Sequence, residues 1–132
     1  MSQTSLSGAE ASRWGHRCGR AIAAQLGASE PQGNSNECEL NGQRVVIKCA
    51  HLNTDSVGVS YLMLERLDAV IGAFEAESGE YEIWQLAPDI YRQEMTGTRS
   101  QGPSAGKVGI VKKRIFQEYG TSLGQVAANT DA

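Results

Sequence analysis

Asn41 and Gly42, set between the runs ECEL (37–40) and QRVVIKCA (43–50), constrain this chain more than any other pair of residues. Asn-Gly best tolerates the two consecutive positive φ angles of a type I′ turn, whose twist matches that of two antiparallel strands. The stretch therefore predicts a two-residue hairpin with its register set: Leu40 faces Gln43, Glu39 Arg44, Cys38 Val45, Glu37 Val46, Asn36 Ile47 and Ser35 Lys48. Side chains alternate along a strand, so Ser35, Glu37, Glu39, Arg44, Val46 and Lys48 share one face, while Cys38, Val45, Ile47 and Cys49 share the other. The second set reads as the core face and the first as a polar, charged one. A lysine inside an otherwise apolar strand is costly unless its charge is used. The ordinary alternative is a solvated face with cross-strand pairs, Glu39 opposite Arg44 and Glu37 diagonal to Lys48.

A lone hairpin is marginal in water, so the remaining elements must supply a core. With 132 residues, 40% of them hydrophobic, the chain has the makings of one domain, placed here at 1–120 with a flexible tail at 121–132. Residues 8–28 predict a helix with Ser7 as N-cap and Gly27 as stop; Ala11, Trp14, Cys18, Ala21, Ile22 and Leu26 mark its buried face. The interior glycines Gly15 and Gly19 either weaken that helix or mark close packing. Further on, 56–66 reads as a helix, 68–74 and 81–87 as strands, 88–95 as a short helix opened by Pro88, and 107–116 as a last strand. This order predicts an α/β fold with a mixed sheet flanked by helices. The chain has no apolar run of 18 residues and no secretory leader, which predicts a cytoplasmic protein without membrane contact. Cys18, Cys38 and Cys49 form neither an even framework nor a CxxC pair and read as reduced thiols.

Charge is unevenly distributed. Residues 65–94 carry eight acids against two bases, whereas 97–116 carry Arg99, Lys107, Lys112, Lys113 and Arg114 and no acid. A local field of this sign predicts contact with a nucleic-acid backbone, against the alternative of a solvated loop and strand. GPSAGKVG (102–109) lacks the spacing and the hydroxyl residue of a phosphate-binding loop. His16, His51 and Cys49 lack a fourth ligand at zinc spacing.

The hairpin, with an acid on its first strand and a lysine on its second, resembles the PD-(D/E)xK nuclease superfamily, which includes many restriction endonucleases and Holliday-junction resolvases. The resemblance covers residues 8–90 as an element order and implies a restriction-endonuclease-like core. It places Glu37 at the first acidic position, Lys48 in VVIKCA at the lysine, and Glu10 on the first helix as an additional acid. The chain departs from the pattern at Val46, two residues before the lysine, where the family has an acid. Glu65 on the following helix, Asp55 before it, or Glu39 on the same face would have to replace it. What the resemblance implies is a metal-dependent DNA endonuclease. Glu37 and a partner carboxylate would hold Mg²⁺ or Mn²⁺ with help from the Ile47 carbonyl, and Lys48 would orient or deprotonate the attacking water. Acting on both strands of double-stranded DNA would call for a homodimer. The rival expectations are a noncatalytic DNA-binding or regulatory module on the same fold, and a structural protein whose charged hairpin face is merely solvated.

Overall fold

A computed structural model describes residues 8–31, 36–97 and 107–127, with the side chains of 8–12 outside the description. The hairpin forms as its turn dictates. Strands β1 (Glu37–Leu40) and β2 (Gln43–Ala50) pair antiparallel in the expected register from Glu37↔Val46 to Leu40↔Gln43. Asn41 and Gly42 take φ angles of 53° and 80°, both positive as a type I′ turn requires. From β2 the chain runs through β3 (Ser56–Ser60) and the short helix α2 (Tyr61–Leu64) to β4 (Ala69–Glu75), which lies parallel to β2. β5 (Glu80–Leu86) returns antiparallel to β4, and β8 (Thr121–Ala127) pairs with β5 at the far edge. The main sheet has the order β1-β2-β4-β5-β8 and is mixed, so the fold is α/β.

Both faces of this sheet are covered. On one, α1 (Gly8–Leu26) buries Cys18, Ile22 and Ala23 against Val45, Ile47, Ala69 and Ile71. On the other lies a second antiparallel sheet, β3-β7-β6, with β6 at Thr96–Gly97 and β7 at Val108–Lys112. Together with α2, α3 (Pro88–Glu94) and α4 (Lys113–Tyr119) it encloses Val46, Ala50, Val70 and Phe74. Tyr91 of α3 is fully buried there, its hydroxyl 2.8 Å from the Gly109 carbonyl oxygen and 3.1 Å from that of Val57. The hairpin face expected to be polar is thus a core face in part: Val46 is inaccessible and Glu37 is buried.

Three expectations are corrected. Residues 56–66 begin as strand β3, because Val57 and Val59 alternate into the core; only Tyr61–Leu64 is helical, capped by the Ser60 hydroxyl accepting from the Met63 N–H at 3.1 Å. The last expected strand ends at Lys112, and Lys113–Tyr119 turns into α4, burying Ile115 and Phe116. The tail is not frayed through 127, since β8 completes the sheet and half-buries Leu123 and Val126 on the α1 side. Gly19 does mark close packing. A Cβ there would overlap the Asn36 amide, which donates to the Gly15 carbonyl at 3.0 Å. Ser7 lies outside the described residues. Among the described residues no helix is long and apolar enough to cross a membrane.

Candidate functional site

Glu37 opens β1, and the hairpin register sets it opposite Val46 with Arg44 two residues away on the same face. The crossover from α2 to β4 brings Arg66 over the same carboxylate from 29 positions along the chain. Arg66 grips it with both prongs, Nε to Oε1 at 2.9 Å and Nη2 to Oε2 at 2.6 Å. Arg44 reaches Oε1 with Nη2 at 3.1 Å and Nε at 3.3 Å. The acid is 7% exposed, while the Arg44 and Arg66 side chains are 54% and 49% exposed, so a buried anion sits beneath two cations that face water. Hydrogen bonding to Glu37, reinforced by its charge, raises the pKa of Arg66 further above its already high value. Asp68 fixes this corner, its carboxylate accepting from the Arg44 N–H at 2.9 Å and its own N–H donating to the Arg44 carbonyl at 2.8 Å.

Lys48 lies on the same face, two residues beyond Val46 and beside Gly72 of β4. Burial lowers its pKa below the ordinary lysine range, and the fields of Cys49 and Glu37 push in the opposite direction. Among the described residues it has no hydrogen-bond or ion-pair partner.

Among the described residues, the other expected site residues do not converge here. The Glu39 side chain is exposed, and its main chain is tied to Ser29 instead, with an N–H to Oγ distance of 2.8 Å. Glu65 is exposed at the end of α2, and it is its neighbour Arg66 that reaches Glu37. Ile47, offered as a carbonyl ligand, is wholly inaccessible and donates its N–H to the Asn36 carbonyl at 3.0 Å. Asp55 is exposed and accepts through its carbonyl from the Lys113 N–H at 2.6 Å. Glu10 sits on α1 with its side chain outside the description, and Arg99 and residues 102–106 of GPSAGKVG lie outside the described residues. Of the basic segment, Lys107, Lys112 and Arg114 are exposed. Lys113 is withdrawn from it, bonded to Glu82 at 3.0 Å and lying 5.9 Å from the centre of the Phe74 ring. His51 stacks on Trp14 at 3.6 Å with its Nδ1 3.6 Å from Glu75.

Sequence reasoning paired Arg44 with Glu39 and passed over Arg66. Arg44 shares a face with Glu37 and was within reach of that reasoning, whereas nothing local ties Arg66 to a strand so far upstream. Among the described residues no three His, Cys, Asp or Glu side chains gather as a metal-ligand group. A hard cation needs carboxylate oxygens with free lone pairs, and Glu37, the one buried acid among the described residues, is already engaged by two guanidiniums. This corner is an ion-paired cluster, not an open set of carboxylates. What it can do is present cationic donors to an anion. Each guanidinium carries five N–H groups and commits two of its nitrogens to Glu37. No protein-family model matches the chain, and no curated protein matches its sequence significantly.

Proposed function

We propose that the chain is a noncatalytic nucleic-acid-binding module on a restriction-endonuclease-like core, in which Arg44, Arg66 and Lys48 meet backbone phosphate where the nuclease family holds a metal. The observation that carries this reading is the double arginine clamp on Glu37. Arg44, Arg66 and Lys48 outnumber the carboxylates of Glu37 and Asp68 at this corner, and the two guanidiniums are half exposed while Glu37 is not. Fork-shaped guanidiniums match phosphate oxygens in geometry as well as charge. Lys107, Lys112 and Arg114 offer further exposed cations for the flanking backbone.

The test is fluorescence anisotropy with a labelled duplex across a salt series, with EDTA present. Affinity is expected to survive chelation and to fall with log[salt] by close to ~0.9 per phosphate neutralised. Lys112→Gln with Arg114→Gln should flatten that slope without altering the fold, as should Arg44→Gln when circular dichroism shows the protein intact. Absence of binding at low salt would overturn the proposal.

A second reading, a Mg²⁺- or Mn²⁺-dependent DNA endonuclease acting as a homodimer, is favoured by the placement of Lys48 alone. It is a partly buried lysine of lowered pKa on the face of Glu37, two residues after the position opposite that acid. This reading requires Glu37 to exchange its guanidiniums for a cation, with Glu10 as the further acid. Plasmid nicking that needs either metal and vanishes in Lys48→Ala would put this reading in place of the first.

A further inference from the structure

Helix α1 covers the face of the main sheet opposite to the one that carries Glu37 and Val46. It buries Cys18 and Ile22, and at about 100° per residue Arg20 stands about 160° away from both. Arg13, Arg17 and Arg20 are exposed and His16 is partly so, four bases at the spacing of one outward stripe. Their side chains line an open cleft of about 250 Å³. We propose that the outer face of α1 is a second phosphate-backbone surface, so that one molecule holds two nucleic-acid segments, one on either side of the main sheet. This rests on the reading of Arg44, Arg66 and Lys48 given above.

An ordinary solvated helix face mixes acids and bases at i,i+3 and i,i+4, where opposite charges attract. Here those spacings hold bases only: Arg13–Arg17 and His16–Arg20 are four apart, Arg13–His16 and Arg17–Arg20 three apart. Like charges so placed weaken a helix. The helix dipole returns nothing, because it favours bases in the last turn and α1 has none there. The single acid of α1, Glu10, precedes the stripe, and Glu30 lies beyond its other end, in the neighbouring cleft that Arg20 also lines. A stripe that costs its own helix stability is matched by a polyanion. Arg13 to Arg20 span about 10 Å of helix axis, and one strand of a duplex sets a phosphate about every 3.4 Å along its axis, so the stripe faces about three phosphates. Among the described residues Arg13 and Arg20 have no hydrogen-bond or ion-pair partner, so their guanidinium forks are open to phosphate oxygens. An anionic lipid surface fits less well: a helix lying on a membrane inserts its apolar face, and the apolar face of α1 is buried against the sheet.

The experiment fixes a biotinylated duplex on streptavidin beads, saturates it with the full chain, washes, and adds a second, fluorescent duplex with EDTA present. Anisotropy with a free labelled duplex runs beside it. The wild type is expected to capture the second duplex, less so as salt rises. Arg13→Gln with Arg17→Gln and Arg20→Gln should lower capture to about a tenth or less, while affinity for a single duplex in anisotropy stays within about threefold. Gln has nearly the helix propensity of Arg, and circular dichroism checks the fold; Arg20→Gln alone should lower capture part of the way. A wild type that binds one duplex but captures no second would overturn this inference and leave the clamp reading in place. So would a triple variant that captures as well as the wild type, the result expected if two copies of the chain bridged the duplexes by another surface. Capture of phosphatidylserine vesicles through these arginines, in place of the second duplex, would also overturn it. Binding of no duplex at all would overturn both readings.

Discussion

Replacing Glu37 with Gln keeps the shape of the side chain while removing the charge that Arg44 and Arg66 enclose. The carboxylate accepts four N–H bonds at 2.6–3.3 Å, the two shortest from Arg66. A hydrogen bond to a charged group is worth about 1.5–3 kcal/mol when buried. Breaking a wholly buried ion pair by removing one partner costs about 3–5 kcal/mol. Here only the acid is buried; both guanidiniums are about half exposed and regain water when released, so the lower end applies. Gln also turns an NH₂ group toward one of the guanidiniums, a donor facing a donor. The expected loss is about 2 kcal/mol, read as a lower urea midpoint at unchanged m-value and a fall of about 8 °C in melting temperature for a domain of this size. Adding Arg66→Gln should cost less in the Glu37→Gln background than in the wild type, because the partner is already gone. A loss below about 0.5 kcal/mol for Glu37→Gln, within the ordinary range of surface changes, would refute the view that the clamp organises this corner.

Three further outcomes follow from the packing. Lys48→Met should be more stable than the wild type at neutral pH, and its advantage should shrink as pH rises. The folded-state pKa of Lys48 is lowered, so between that value and the ordinary lysine value the unfolded chain binds the proton more tightly and wild-type stability climbs; a difference between the two urea midpoints that stays constant from pH 7 to about pH 10 would contradict the assignment. Gly15→Ala and Gly19→Ala should act in opposite directions. A Cβ at Gly15 meets open space and gains about 0.5–1 kcal/mol of helix propensity, whereas one at Gly19 overlaps the Asn36 amide and should lose about 1 kcal/mol or more net, both read by thermal melts. Tyr91→Phe should cost about 1–2 kcal/mol in urea unfolding, since it leaves the buried carbonyls of Val57 and Gly109 without the hydroxyl that joins β3 to β7.

The hairpin was legible because everything that fixes it is local: a turn pair with two positive φ angles and a period-2 pattern on either side. Helix α1 was legible for the same reason, its stop at Gly27 confirmed by a φ of +77°. The second sheet was not, because β3 pairs with β7 across about fifty residues of chain, and SVGVSYLML admits strand and helix readings alike. One available signal was underused. Three consecutive apolar residues in β2 and the run AVIGAF in β4 are what strands buried on both faces look like, and they argue against a hairpin with one wet side. The basic segment showed its charge but not its pairing: Lys113 turns inward to Glu82 because α4 begins there, a boundary that composition does not mark.

Val46 and the clamp on Glu37 belong to one physical arrangement. In the family pattern, position 46 and position 37 would both be acids, and a cation between them would offset the repulsion and the desolvation of the pair. In this chain Val46 is inaccessible and packs with Val70, Leu64 and Phe74 in the core beneath the second sheet, so a carboxylate there would forfeit that burial and need a counter-charge of its own. Among the described residues Glu37 is left as the single buried acid, and a single carboxylate makes a weak ligand for Mg²⁺. It still has to be neutralised to remain buried, and the crossover answers with Arg66 while the partner strand answers with Arg44. On the proposed reading, this corner presents guanidinium donors to an anion where the resembled pattern would present carboxylates to a cation. On that reading the apolar residue at 46 and the arginine at 66 act in the same direction from opposite sides of the site: one leaves out a second carboxylate, the other supplies a cation.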